Sequence, residues 1–140
     1  MKAINLLCLF ILCNVFLAAC KKKDDPTAQT QKGDIKATAK FTPWTSSSYG
    51  SFYHYIDNNA LTITLMNSSG AVIATQYSSA DGTPIDLGEY EYGNYSIKVE
   101  GPEMSMNMST GTTSVYTIFS QTKSFSLNNT TVTENFTFSN

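Results

Sequence analysis

Arginine is absent from the sequence, so all nine basic side chains are lysines. Charged residues make up only 14% of the 140-residue chain, and the formal net charge is −2. Proteins that bind nucleic acids rely on arginine forks and on a basic surface that neutralises phosphates. The sequence therefore predicts a protein that does not bind nucleic acid.

Histidine and cysteine are also scarce, and this scarcity limits the chemistry that we expect. His54 is the only histidine, and Cys20 is the only cysteine outside an N-terminal apolar run. A zinc site needs several such ligands, and no G-x-S-x-G motif or nucleotide-binding loop occurs. We therefore expect no catalytic residues, no metal and no cofactor, and we interpret His54 as an ordinary strand or loop residue.

Acidic residues form two local groups. Asp57-Asn58-Asn59 lacks the order of a calcium-binding loop, so we interpret it as a turn. Glu89 and Glu91 alternate around a tyrosine and are predicted to lie on one solvated strand face. Neither group predicts a reaction.

The N-terminus carries a targeting signal. A lysine is followed by an apolar run over 4–19, which is too short for a stable membrane-spanning helix and is typical of a secretory signal peptide. Its last residues, Leu17-Ala18-Ala19-Cys20, resemble the bacterial lipobox, in which a peptidase cuts before a cysteine that carries diacylglycerol. The resemblance implies that residues 1–19 are removed and that Cys20 becomes a lipid anchor.

The segment after Cys20 is polar. Lys21, Lys22, Lys23, Asp24 and Asp25 resemble the export signal of Bacteroidota-type lipoproteins, which implies an outer-membrane, surface-exposed location. The alternatives are a plain charged spacer and the periplasmic face. We assign residues 20–33 to the lipidated cysteine and a flexible tether, because they lack large apolar side chains.

Residues 34–140 are predicted to form one domain of strands. Apolar side chains alternate with polar ones in several runs, and these runs are separated by turn residues. Residues 60–78 predict a hairpin, and Gly101-Pro102 is read as the end of a later strand. About seven short strands and no helix predict a single all-β, antiparallel sandwich.

One part of this domain resembles a known family. The strands and turns of 60–101 are similar to transthyretin-like (prealbumin-like) sandwiches, such as carboxypeptidase regulatory-like and Cna B-type domains. The resemblance implies an Ig-like sandwich. The lysine, asparagine and acid that crosslink many Cna B-type domains have no evident counterparts in this sequence.

Two further patterns bear on binding. Met104, Met106 and Met108 alternate, which favours a core position and leaves a copper(I) site as the alternative. Aromatic side chains are concentrated in a serine-rich stretch, which is typical of a ligand platform; the alternative is that these rings cap one end of the sandwich. The candidate platform residues are Trp44, Tyr49, Phe52, Tyr53 and Tyr55.

These observations lead to one principal hypothesis and one alternative. The principal hypothesis is a non-catalytic envelope protein, held on the membrane by its N-terminal lipid, that acts as a binding or accessory module for glycan or protein. The alternative is a structural subunit of a surface or pilus-like assembly, in which an edge strand pairs with a neighbour.

Overall fold

The computed structural model describes residues 30–47 and 50–139, and these ranges contain β-strands and no helix. The signal peptide, Cys20 and the export segment 21–25 lie outside the described residues, as does Tyr49. The nine strands are β1 (Lys32–Phe41), β2 (Trp44–Ser46), β3 (Phe52–Tyr55), β4 (Leu61–Asn67), β5 (Val72–Ser78), β6 (Ile85–Glu91), β7 (Gly93–Asn107), β8 (Thr113–Leu127) and β9 (Thr131–Phe138).

The strands form two sheets. The first has three strands in the order β6-β1-β9, and the second has six strands built around β7. Along one edge β7 pairs with β8 for nearly its whole length, and along the other edge it pairs first with β4 and then with β3. Strands β5 and β2 complete the sheet beyond β4 and β3.

The core lies between the two sheets. In β1, buried Ile35, Ala37 and Ala39 alternate with partly exposed polar residues, as expected for a strand with one face in the core. The six-stranded sheet contributes a matching inner face. The remaining buried apolar residues are Phe41, Leu61, Ile63, Leu65, Ala80, Leu87, Ile97, Val99, Leu127, Phe136 and Phe138.

The length of β7 determines where the functional surfaces lie. The prediction that this strand ends at Gly101-Pro102 was wrong, because β7 continues to Asn107. Among the described residues, the part of β7 between its β4 and β3 partners pairs only with β8, so Pro102, which has no N–H to donate, is tolerated there. The extension places Glu103, Met104 and Met106 past the part of β7 that pairs with β4.

The all-β sandwich is confirmed, but it has nine strands rather than seven. Strands β2 and β3 are too short to show a period of two, and β6 is interrupted by a bulge beside Gly88, which has φ of 109°. The sandwich is also not wholly antiparallel, because β1 and β9 are parallel. Strand β1 begins at Lys32, so the last two residues of the predicted tether lie in the strand.

Candidate functional site

The candidate platform residues that the structure describes, Trp44, Phe52, Tyr53 and Tyr55, lie at the β2–β3 end of the six-stranded sheet, on both of its faces. Strand β3 pairs with β7, and its His54 lies opposite Ser105, which follows the core residues along the inner face of β7. Trp44 lies opposite His54 in β2 and shares that face. Tyr53 and Tyr55 point to the other face because side chains alternate along a strand. The prediction that these rings form one platform was wrong, because they lie on opposite faces of the sheet.

On the inner face, aromatic rings enclose two buried polar side chains. The rings of Trp44 and His54 are stacked, with centroids 3.8 Å apart and an interplanar angle of 4°, and Tyr116 meets the His54 ring edge-on at 4.5 Å. His54 and Glu103 are only 1% and 2% exposed. We call Trp44, Ser46, His54, Glu103 and Tyr116 the inner cluster.

Hydrogen bonds satisfy part of the inner cluster. The indole Nε1 of Trp44 donates to Oε1 of Glu103 at 2.8 Å, and this bond compensates for some of the cost of burying the carboxyl group. Trp44 also packs against the core. The interpretation of the aromatic stretch as an end cap therefore describes Trp44 well.

The inner cluster has the atom order of a serine–histidine–acid triad but only one of its two hydrogen bonds, the one between serine and histidine. Ser46 Oγ lies 3.2 Å from His54 Nε2, and Glu103 Oε1 lies 3.3 Å from His54 Nδ1. However, Nδ1 has no hydrogen-bond partner among the described residues, so Glu103 does not orient the imidazole as the acid of a triad does. The arrangement is better explained as a packed polar cluster at the end of the core.

A cleft of about 500 Å³ opens beside the inner cluster. Its aromatic walls come from Trp44, Phe52 and Tyr116, and serine hydroxyl groups lie between them. The complete lining is Trp44, Ser46, Phe52, His54, Ser105, Ser114, Val115 and Tyr116.

The outer face carries a flat group of apolar side chains. The rings of Tyr53 and Tyr55 have centroids 5.7 Å apart and an interplanar angle of 16°. Met106 lies opposite Tyr53 on the neighbouring strand, and Met104 lies opposite Tyr55. All four side chains are half-buried, so each keeps part of its surface open to solvent. We call Tyr53, Tyr55, Met104 and Met106 the outer platform.

The interpretation of the methionines as core residues was wrong. The inner face of β7 carries Val99, Glu103 and Ser105, so the alternation places Met104 and Met106 on the outer face. Met108 lies in the following turn and is 58% exposed. The period of two was read correctly, but only the register with β3 and β8 decides which face is buried.

Two other sequence predictions can be compared with the structure. Asn58 and Asn59 lie in a turn, and the φ of 59° at Asn59 is one that asparagine tolerates well. Glu89 and Glu91 are both exposed on β6, where Glu89 lies 4.0 Å from the Lys32 ammonium group. The turn at Asn58 and Asn59 and the solvated strand positions of Glu89 and Glu91 are as predicted.

Glu103 and Tyr116 were missed as members of a site. The alternation that begins with Ile97 and Val99 would have placed Glu103 on the buried face if β7 had been extended past Gly101-Pro102. Tyr116 is the extra residue of a bulge in β8, because Met104 pairs with Val115 whereas Glu103 pairs with Thr117. A sequence pattern of period two does not reveal such an insertion.

No family model, curated protein or solved structure matches this chain. Among the described residues, no helix has the length and apolar character required to cross a membrane. Within the same residues, no group of three or more histidine, cysteine or acidic side chains is arranged to hold a metal ion.

Proposed function

We propose that this chain is a non-catalytic, lipid-anchored module of the bacterial cell envelope that binds neutral glycans through its outer platform. The lipid is carried by Cys20, and the proposed location is the outer surface of the outer membrane. The observation that carries the proposal is the nearly parallel, half-buried pair Tyr53 and Tyr55 on the open face of the sheet.

The chemistry of the outer platform suits a sugar better than an ionic ligand. Aromatic rings offer flat apolar area against which the C–H face of a sugar ring can pack. Thr45 lies opposite Tyr53, and Thr113 lies opposite Met106, so hydroxyl groups border the platform on two sides. No charged residue occurs in the outer platform, which disfavours a ligand recognised by its charge.

The position of β1, to which the proposed tether leads, supports the same proposal. Strand β1 belongs to the three-stranded sheet, which packs on the inner face of the six-stranded sheet. The outer platform therefore lies on the far side of the sandwich, across an intersheet distance of about 10 Å. A tether that enters at β1 leaves the platform accessible.

The proposal is tested by measuring binding to an array of neutral and charged glycans and to insoluble polysaccharides. The double variant Tyr53→Ala with Tyr55→Ala should lose about 10-fold or more in affinity for a neutral glycan. The matched control is Tyr77→Ala, because Tyr77 is 59% exposed on β5 and lies opposite Thr62 on the same outer face.

Unchanged affinity in the double variant would overturn the platform. Binding to charged glycans alone would contradict the neutral ligand class, and binding to no glycan at all would favour the protein ligand of the principal hypothesis. Folding of each variant is checked by its thermal melt, so that a loss of binding is not confused with a loss of structure.

A second function is favoured by one specific observation. Strand β8 lies at the edge of the six-stranded sheet, and an unpaired edge is a template for another strand. This edge supports the alternative of a structural subunit, in which copies of the chain add to one another in an open array. An open array requires two different complementary surfaces, whereas β8 on its own offers one.

A further inference from the structure

The edge of β8 is long, uncharged and partly apolar. Among the described residues, β8 pairs only with β7, and no strand pairs with its other edge. From Thr113 to Thr122 the strand contains no charged residue and no proline. Native edge strands are usually protected by such residues, especially lysine. This part of β8 lacks that protection.

Exposed apolar side chains are concentrated on the same segment. Val115, Tyr116 and Ile118 are 57%, 56% and 70% exposed. Farther along, Lys123 donates to the carbonyl oxygen of Asn135 in β9 and lies over the Phe136 ring, so the second half of β8 is linked to the three-stranded sheet. The accessible edge therefore ends near Thr122.

The bulge at Tyr116 limits the regular part of this edge. The Tyr116 ring packs against His54 and Trp44 on the inner face, which fixes the bulge in place. From Thr117 onward β8 pairs with β7 without a further irregularity. A new strand would therefore pair with the segment between Thr117 and Thr122.

We propose that this segment pairs with the same segment of a second copy of the chain, giving a two-fold symmetric dimer with a continuous sheet. Antiparallel pairing of β8 with itself places no like charges opposite each other, because the segment has none. A two-fold interface is self-complementary and closes with two copies, so it needs no second surface.

The proposed lipid anchor favours a second copy of the chain over any other partner for the β8 edge, and in this respect the inference rests on the proposed function. Copies held on one membrane by a lipid meet at a raised effective concentration. Antiparallel pairing relates the copies by an axis perpendicular to the sheet, so both outer faces point to the same side. Both β1 strands then lie on the opposite side, which allows both tethers to reach one membrane.

The dimer would also make glycan binding bivalent. At the usual strand dimensions, the two outer platforms would be about 24 Å apart across the strands β3, β7 and β8 of each copy, and about 30 Å apart along them, because each platform lies four to five residues from the two-fold axis on β7. Two sites at a fixed distance on one side can bind neighbouring repeats of the same polysaccharide. Avidity then strengthens binding without any new contact.

The experiment is a sedimentation-velocity concentration series on the chain from Lys21, which contains every described strand. The parent chain should show a concentration-dependent shift from monomer to dimer. Ile118→Lys places a charge on the exposed edge and should shift the midpoint of dimerisation at least about 10-fold higher in concentration. Ser120→Lys tests the same segment with a second exposed residue.

The matched control is Val72→Lys, because Val72 is 60% exposed on β5, the edge strand beyond β4. This variant should dimerise like the parent. A parent chain that stays monomeric up to about 1 mM, a dimer that only Val72→Lys disrupts, or assemblies larger than a dimer would overturn the proposal. The last result would favour the open array.

The two proposals fail separately. A monomer whose glycan binding depends on Tyr53 and Tyr55 would remove the dimer and keep the platform. A dimer disrupted by Ile118→Lys that binds no glycan would remove the platform and keep the dimer. Thermal melts of the lysine variants are expected to match the parent at concentrations where the parent is a monomer, because the substituted side chains are exposed.

Discussion

Trp44 and Tyr53 belong to the same hairpin, yet their rings have different physical roles. Trp44 stacks on buried His54 and donates a hydrogen bond to buried Glu103. Tyr53 lies on the open outer face, where part of its ring remains in water. Composition shows that aromatic residues are concentrated in this stretch, but only the pairing of β2, β3 and β7 shows which ring faces the core.

We therefore predict opposite outcomes for truncation of these two rings. Trp44→Ala should lower the free energy of unfolding by about 3 kcal/mol, the lower end of the range for emptying a buried aromatic site, because Trp44 is half-buried and Glu103 also loses a donor. Tyr53→Ala should cost about 1 kcal/mol or less. Denaturant melts measure both values, and equal losses would contradict the division between the two faces.

Asp81 gives a prediction for acid stability. Its side chain is exposed and accepts a hydrogen bond from the Thr83 backbone N–H at 2.8 Å, and this bond lowers the pKa of the carboxyl group below its usual value. A lowered pKa in the folded state stabilises the fold above the pKa of the unfolded chain. This contribution is lost as the pH falls through the folded-state pKa.

Asp81→Asn should therefore flatten the acid side of the stability profile. The asparagine oxygen can still accept the Thr83 N–H, so the turn is retained while the titrating group is removed. Melting temperatures of parent and variant, measured from about pH 6 down to pH 2, should converge in acid. A constant difference across this range would show that Asp81 does not contribute through its ionisation.

At the level of elements, β7 explains both the success and the limits of sequence-based prediction. Its buried positions Ile97 and Val99 alternate clearly, and the strand around them was predicted correctly. Its second half was not predicted, because Gly101 and Pro102 are strong terminating signals when no neighbouring strand is considered. The β8 partner maintains the strand through these residues, and pairing between residues far apart in the sequence leaves no local signal.

Gly101 is required where β7 changes partner from β4 to β3. A Cβ atom at this position would lie 2.6 Å from the Ala60 carbonyl oxygen and 2.8 Å from Leu61 Cδ2. Backbone atoms adjust less easily than flexible side chains, so Gly101→Ala should destabilise the protein by about 1 to 3 kcal/mol through overpacking. The free energy of unfolding from denaturant titration measures this effect.

Gly70 provides a control for Gly101. It has a φ of 81° in the β4–β5 turn, and no atom lies within 4 Å of the position of an added Cβ. Gly70→Ala should cost about 1 to 2 kcal/mol through its left-handed backbone alone. This strain lies in the backbone, so shortening a side chain elsewhere cannot relieve it.

Leu61→Ala, by contrast, should reduce the cost of Gly101→Ala, because it removes the Cδ2 atom that the added Cβ would meet. If the losses of stability from Leu61→Ala and Gly101→Ala are strictly additive, overpacking by the Leu61 side chain is contradicted.

At the scale of the whole molecule, the sequence predicts the sandwich but not the arrangement of its surfaces. Alternating residues such as Ile35 and Ala37 identify a buried strand face without reference to any partner. The outer platform and the free edge of β8 depend instead on strand order, which is determined by packing over the whole chain. These features required the structure, and the proposed functions depend on them.

The charged segment 21–25 is expected to affect location and not attachment. Replacing these five residues with alanine should leave the protein on the membrane, because the proposed lipid site at Cys20 is unchanged. If the segment is an export signal, the variant should be cleaved less than the parent when intact cells are treated with protease. Equal cleavage would identify the segment as a spacer.

Attachment itself depends on Cys20. Cys20→Ala removes the sulfur that would carry the lipid, and two or more acyl chains are what make such an anchor stable. We therefore expect the variant to move from the membrane fraction to the soluble fraction. A high-salt wash removes protein that is held on the membrane only by the charge of the lysines after Cys20. If the washed membranes retain the variant as they retain the parent, the lipid anchor is refuted, and the argument that two tethers on one membrane favour the β8 dimer is refuted with it.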